Sequence, residues 1–275
     1  MMSREARQVE RRKDTFARRP VTKIWGEEAS ENNPYIAQRS ICQGYDLLEL
    51  MEKRSFVDVL YLLFRGCLPE KEQAELFESL MIAMISPGPR HAATRAAMNV
   101  GVGKTDRAHI LPISLSIIGG EFLGAGEVEA AMSFLRKEMK NNPAEVARTA
   151  ADESQRPAEG DWHPIPGFGS RFGAVDLMPR NIAHQLANLP GAGRALRWGS
   201  QFAAILEKQH MGWLSPGVAA AALTDLGFHS RTGAGLFQLL SAPGLLAHGL
   251  ELSNKPITAM PFLPDEDYII ERDEE

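Results

Sequence analysis

Few residue types in this chain could do chemistry, and their spacing limits what that chemistry is. His163, His184, His210, His229 and His248 are scattered, with no two at the three- or four-residue spacing that holds a metal on a helix, so no metal site is expected. Each stands alone as an acid, a base or an ordinary surface or core residue. Cys42 and Cys67 are the only cysteines, too few for a disulfide framework and not at zinc-ligand spacing; both are expected to be reduced, buried and inert. Gly101-Val102-Gly103-Lys104-Thr105 ends like a phosphate-binding loop. Met98 stands where the first glycine of that pattern belongs and no strand precedes it, so a helix-ending glycine loop is the reading. Pro166-Gly167-Phe168-Gly169-Ser170-Arg171 is a glycine loop able to bring backbone N–H groups and a guanidinium to an anion. Glu121 and Glu127 flank a turn at Leu123, where a carboxylate is either a candidate base or a solvated charge at a helix end.

The elements that must position these residues read as helices. Phe56, Val57, Val59, Leu60, Leu63 and Phe64 follow a helical period with a wide apolar face. Gly66 supplies a stop, Pro69 a start, and Leu76, Phe77, Leu80, Met81 and Met84 repeat the stripe, which predicts a helical hairpin within 44–84. Ser86-Pro87-Gly88-Pro89 breaks the pattern before the Ala-rich helix of 92–100. Ile110 to Ile118 is the most apolar segment; its isoleucines suit a strand, but its length and helical neighbours favour a buried helix. Glycines at 119, 120, 124 and 126 punctuate the chain before a helix over 127–139, and the Pro- and Gly-bearing stretch 141–166 reads as partly looped, a pivot between lobes. Helices are predicted over 180–188, 193–208, 218–226 and 235–252, with no alternating strand anywhere. The fold class is all-α.

Composition bounds the function. The chain has 275 residues, enough for a sizeable core, with 44% apolar and 24% charged residues, which fits a soluble globular protein. A net charge of −5 gives no drive toward nucleic-acid phosphates, so no nucleic-acid partner is expected. No apolar run approaches the roughly 18–20 residues of a membrane span, and the Arg-rich start lacks the apolar core of a secretory signal; a cytoplasmic location without membrane attachment is the expectation. The basic start and the acidic end are read as solvated tails, with mutual attraction within or between chains as the alternative.

The order of the segments carries a resemblance. Gln43-Gly44-Tyr45-Asp46-Leu47-Leu48 through Ser55 to Pro69, Pro164 to Phe172, Val218 to Phe228 ending Asp225-Leu226-Gly227-Phe228, and Pro243-Gly244-Leu245-Leu246-Ala247-His248 follow one another as in the citrate synthase superfamily, and more narrowly its short citryl-CoA lyase-like members. The match runs over about residues 35–262. The resemblance implies a two-lobed helical fold: an N-terminal arm over 1–34, a large domain from 35–126 and 226–262, a small domain of 127–225 and an acidic tail of 263–275. It implies a homodimer, with a paralogous subunit as a further partner, acting on a coenzyme A thioester and a carboxylate without a metal. Pro166, Gly167, Phe168 and Gly169 are implied to lie against the coenzyme A, and Arg171 to hold an anion of the substrate.

In that family an aspartate removes a proton next to the thioester, one histidine bonds the enolate oxygen and a second acts on the carbonyl of a ketoacid. Here the first histidine falls on Leu123, the second on Ser170 and the aspartate on Pro216; the late carboxylate-holding arginine falls on Ser241 and an early arginine on Gln43. His163 and His210 are the candidate replacements. Three readings follow: carbon–carbon bond formation or cleavage next to a thioester with displaced catalytic groups, an inactive coenzyme A-binding or interaction subunit, or an unrelated helical scaffold.

Overall fold

A computed structural model describes residues 21–150, 156–261, 263–269 and 271. The basic start and the last acidic residues, on which the reading of the tails depends, lie outside that set. The described chain forms two compact units that divide between Ser55 and Phe56.

In the first unit, strands β1 (Trp25–Ser30) and β2 (Asn33–Cys42) pair antiparallel, from Trp25 opposite Cys42 to Ser30 opposite Asn33, with a bulge near Ala29. The Asn33 side chain accepts from Tyr35 N (2.9 Å), and Ser30 Oγ donates to Asn33 O (3.0 Å), closing the hairpin turn. Gln43 and Gly44, both at positive φ, turn β2 into the short β3 (Tyr45–Asp46). Asp46 then caps helix α1 (Leu47–Lys53) by accepting from Leu48 N and Glu49 N, while Arg39 Nε lies 2.6 Å from its other oxygen. The expectation of no strands is therefore corrected. Trp25–Ser30 is solvated on both faces and so shows no apolar alternation, leaving its pairing invisible to a period-two test.

The second unit is helical: α2 (Phe56–Arg65), α3 (Lys71–Ala83), α4 (Ala92–Val102), α5 (Ile110–Ile118), α6 (Ala125–Glu138), α7 (Pro143–Ala150), α8 (Leu177–Ala187), α9 (Arg194–Leu206), α10 (Ser215–Asp225) and α11 (Ser230–Ser253). The all-α class holds. The central α10 is buried along nearly its whole length because its core run, Val218 to Leu223, is mostly alanine; helices α6, α9 and α11 pack closely on it. Phe77, Met132, Phe202, Trp213, Val218 and Leu236 belong to the same continuous core. Asp225 ties α10 to the start of α9, its carboxylate accepting from Gly193 N, Ala195 N and Leu196 N; burial nevertheless pushes this carboxyl above its ordinary range.

Three expectations are refined here. Ile110–Ile118 is a helix but not a buried one, since Ile113 and Ile117 are each 40% exposed; a segment apolar on all sides does not reveal which face meets the core. Cys67 is exposed just beyond the glycine stop of α2, whereas Cys42 is buried. Gly101 lies inside α4, and Lys104 Nζ donates to Ser253 O (2.8 Å) and Lys255 O, so this glycine segment serves a helix end. Among the described residues no helix is long and apolar enough to cross a membrane.

Candidate functional site

Three short strands, β4 (Trp162–Ile165), β5 (Phe168–Ser170) and β6 (Gly212–Trp213), form an antiparallel sheet in the order β4-β5-β6 within the helical unit. Their shortness and near-complete burial hid them from the sequence pattern. They place the glycine loop. Phe168 is fully buried, stacked on Trp213 (4.5 Å between centroids) and edge-on to Phe202 (4.9 Å). Gly167 has φ of +80°, and a Cβ on it would stand 2.5 Å from Gly217 Cα; on Gly169 a Cβ would stand 2.2 Å from Trp162 O. Both glycines admit neighbouring backbone. Leu214 N donates to Gly167 O (3.0 Å), which fixes the start of α10 and its second residue, the buried Pro216, beside the loop.

At the centre is Glu127, in the first turn of α6 and 5% exposed. Its Oε2 accepts from Leu123 N (2.8 Å) and its Oε1 from Gly167 N (3.2 Å). His163 Nδ1 lies 3.3 Å from Oε2, within ion-pair distance although not aligned as a hydrogen bond. The imidazole is stacked on Phe122, with centroids 4.3 Å apart and rings within 6° of parallel. The reading of Glu127 as a solvated helix-end charge is thus overturned. A glutamate at the third helical position after the Gly124 turn is placed to reach back to N–H groups before the helix, and that spacing was its available signal.

Leu123 has φ of +53°, an uncommon conformation for a branched side chain, and is held from both sides. Glu127 takes its N–H, and His91 Nε2 donates to its carbonyl (3.1 Å). His91 also caps α4, its Nδ1 accepting from Ala93 N (3.1 Å), so the proton sits on Nε2. Sequence reading missed His91 because it looked for clustered histidines and not for a capping one. Burial lowers the His91 pKa from its ordinary value, with the nearby Arg171 charge lowering it further.

That shift has a sign. An imidazole that prefers to be neutral in the folded state contributes stability that is full above its unfolded pKa of about 6.5 and is lost as pH falls below that value. Urea unfolding from pH 8 to pH 5 is expected to show this loss. In His91→Ala the slope should flatten, with about 1 kcal/mol less stability at pH 8 from the missing cap. An unchanged slope in the variant would show that His91 does not carry the effect.

Beyond β5, Arg171 and Ala174 exchange two backbone hydrogen bonds around a turn with Phe172 and Gly173 at positive φ. Asp161 fixes this turn: its Oδ1 accepts from Phe172 N (3.0 Å) and its Oδ2 lies 2.8 Å from Arg171 Nε. Ser170 is 1% exposed, and its hydroxyl reaches no hydrogen-bond partner among the described residues. It lines an open cleft of about 590 Å³ together with Arg156, Glu159, Trp162 and Phe172. Of the residues singled out from the sequence, Leu123, His163 and Gly167 meet at Glu127, Pro216 follows Leu214, which is bonded to Gly167, and Ser170 ends β5 with Arg171 next to it. His210 does not join them; it is exposed in a left-handed turn after α9.

This architecture recurs in solved structures. The chain is similar to citryl-CoA lyase from Hydrogenobacter thermophilus over 94% of this chain and 96% of that one, with a TM-score of 0.72 at 23% identity. It has a citrate synthase-type fold. An ATP citrate lyase from Methanothrix soehngenii, solved in complex with citrate and coenzyme A, matches 94% of this chain over 43% of its own (TM-score 0.71, 18% identity). Citrate synthase from Thermoplasma acidophilum, in a ternary complex with carboxymethyl coenzyme A and oxaloacetate, matches 80% of this chain over 58% of its own (TM-score 0.58, 17% identity). No family model and no curated protein matches the sequence.

Proposed function

We propose that this chain binds a coenzyme A thioester and makes or breaks the carbon–carbon bond between its acyl group and a ketoacid, in the manner of a citryl-CoA lyase. The observation that carries the reading is the meeting of the Leu123 turn and the Gly167 turn, to which the start of α10 is tied through Leu214, on one buried carboxylate, Glu127, in a fold shared with a citryl-CoA lyase. The cofactor lies against the Pro166–Gly169 turn, of which Pro166 is the half-buried member, and Arg171, oriented by Asp161, takes an anionic group of the substrate.

With no carboxylate at Pro216, His163 is the group on hand to move a proton, and Glu127 orients its ring. In cleavage, the imidazole accepts the hydroxyl proton of the 3-hydroxyacyl thioester as the carbon–carbon bond breaks. The oxygen becomes the ketoacid carbonyl, the bonding pair becomes the thioester enolate, and the imidazolium returns the proton to its α-carbon. Leu123 has no side-chain donor for the enolate oxygen, and this favours a second reading, an inactive coenzyme A-binding or interaction subunit. We also propose a homodimer that covers the half-exposed Ile113 and Ile117 of α5.

Calorimetric titration with coenzyme A, acetyl-CoA and citryl-CoA, followed by chromatography of the products, tests the proposal. Binding with slow cleavage, reduced about 100-fold or more in His163→Asn, is expected. Binding without cleavage selects the subunit reading, and the absence of binding at millimolar concentration overturns both.

A further inference from the structure

We infer that His91 is a proton-operated catch on the Leu123 turn: when the ring takes up a proton it lets the turn go, and the cover that Phe122 and Leu123 form over His163 and Glu127 opens. The catch rests on the geometry of this chain alone, whereas its effect on coenzyme A binding rests on the proposed function.

The first observation is that one neutral ring does two jobs of opposite polarity. Nδ1 accepts from Ala93 N (3.1 Å) at the start of α4, and Nε2 donates to Leu123 O (3.1 Å), 32 residues further along the chain. A proton on Nδ1 turns that acceptor into a donor facing another donor. The ring must then turn away from Ala93 N, and because both nitrogens are fixed on one rigid ring, Nε2 leaves the Leu123 carbonyl with it. The surroundings oppose the charge as well. The new cation would stand at the positive end of the α4 dipole, and the first turn of α4 has no acidic residue to offset it or to take over the cap. Arg171, after β5 and paired with Asp161, repels it, and Arg90 and Arg95 flank it in the chain. Beyond Leu123 stand Glu127 of α6 and His163 of β4. Among the described residues no carboxylate pairs with the ring, and burial together with Arg171 holds it neutral.

The second observation is what the turn needs. Leu123 at φ of +53° keeps a conformation that a branched side chain holds only under constraint, and it is held by two bonds, one from His91 and one to Glu127. Losing the first leaves its carbonyl free to swing back to an ordinary conformation. Phe122, the residue before, is stacked on His163 at 4.3 Å while 60% exposed, so solvent already meets most of its ring. A freed turn takes Phe122 off the imidazole.

The test is amide hydrogen exchange on the full chain, read by NMR at Leu123 and along α10, together with the ring nitrogen signals of His91. The protection of Leu123, corrected for the intrinsic pH dependence of exchange, is expected to be level from pH 8 to about 6.5 and to fall about threefold to tenfold by pH 5.5, as linkage requires of a ring that prefers to be neutral while the turn is closed. The α10 amides should keep their protection, because the opening is local. His91→Asn keeps an acceptor for Ala93 N but ends one bond short of Nε2, so its Leu123 protection should be about fivefold below wild type at pH 8 and level down to pH 5.5. Calorimetry with coenzyme A and acetyl-CoA at pH 7.5 and pH 5.5 should show a larger loss of affinity on acidification in wild type than in His91→Asn, a comparison that removes the ligand's own titration. An equal loss in the two proteins overturns the link to binding. Level Leu123 protection in wild type, or a fall that persists in His91→Asn, overturns the catch. So does a His91 ring that carries its proton on Nδ1 at pH 8 or titrates at or above about 6.5, and both are read on wild type alone. If protection behaves as expected and no coenzyme A species binds, the catch stands and the proposed function fails. If coenzyme A binds and protection is level, the catch fails and the proposed function stands.

Discussion

Glu127→Ala is expected to lose about 3–5 kcal/mol of stability, the range for removing one partner from a buried charged cluster. The side chain accepts two backbone N–H groups from different parts of the chain, Leu123 before α6 and Gly167 between β4 and β5, and lies against His163. Alanine leaves both donors buried without an acceptor, at about 1–3 kcal/mol each, and removes the anion facing the imidazole. Part of that cost returns as the loops relax, because Leu123 no longer has to hold its left-handed backbone. Glu127→Gln retains one carbonyl oxygen for one of the two donors but turns an amide NH2 toward the other, so it should fall between wild type and alanine. Urea unfolding of the three proteins at pH 7 checks the order. A Glu127→Ala variant within 1 kcal/mol of wild type would mean that the two loops are held by something else. The stability loss should be accompanied by loss of coenzyme A binding, since the Gly167 loop and the Leu123 turn are no longer fixed relative to each other.

The same carboxylate shows what the sequence can and cannot disclose. Helices announce themselves because a 3.6-residue apolar period survives averaging over ten or more positions, as in Phe56–Arg65. Helix starts are less legible: the helices expected from 218 and 235 begin at Ser215 and Ser230, because Pro216 and Gly233 lie inside the first turn and do not precede it. Strands of two to four residues, such as Gly212–Trp213 and Phe168–Ser170, contain no full period of anything, and their burial removes the polar alternation that would betray a longer strand. The site suffers from the same shortness. Leu123, Ser170 and Pro216 came from order along the chain, through the resemblance, whereas the 166–171 loop and Glu127 were singled out by residue type without a partner to place them. His91 acts through backbone groups alone and Glu127 mainly so, its one side-chain neighbour, His163, standing 36 residues away in the sequence.

The largest effect expected concerns turnover. Synthesis of citrate from acetyl-CoA and oxaloacetate should be slower by four to seven orders of magnitude than a typical enzyme rate of about 10 s⁻¹. A placed general base contributes roughly 10²- to 10⁴-fold and an oxyanion donor roughly 10²- to 10³-fold, and the positions that the resemblance assigns to them carry Pro216 and Leu123. These factors do not simply multiply when groups act as a unit, which is why the range is wide. Release of coenzyme A thiol in a coupled assay measures the rate directly, and turnover near 10 s⁻¹ would sink the assignment of these positions. A variant gives the complementary result. Pro216 is the second residue of α10, so Pro216→Asp puts a carboxylate in the first turn of a helix, where the positive end of the helix dipole keeps it ionised, beside the contact of Gly217 with Gly167. If the coenzyme A thioester lies where we propose, this aspartate should raise exchange of the acetyl-CoA methyl protons with solvent deuterium at least tenfold over the wild-type background, even without a ketoacid. Exchange that stays at background in a variant that folds and binds acetyl-CoA would place the thioester away from the α10 N-terminus, and with it the reacting carbon.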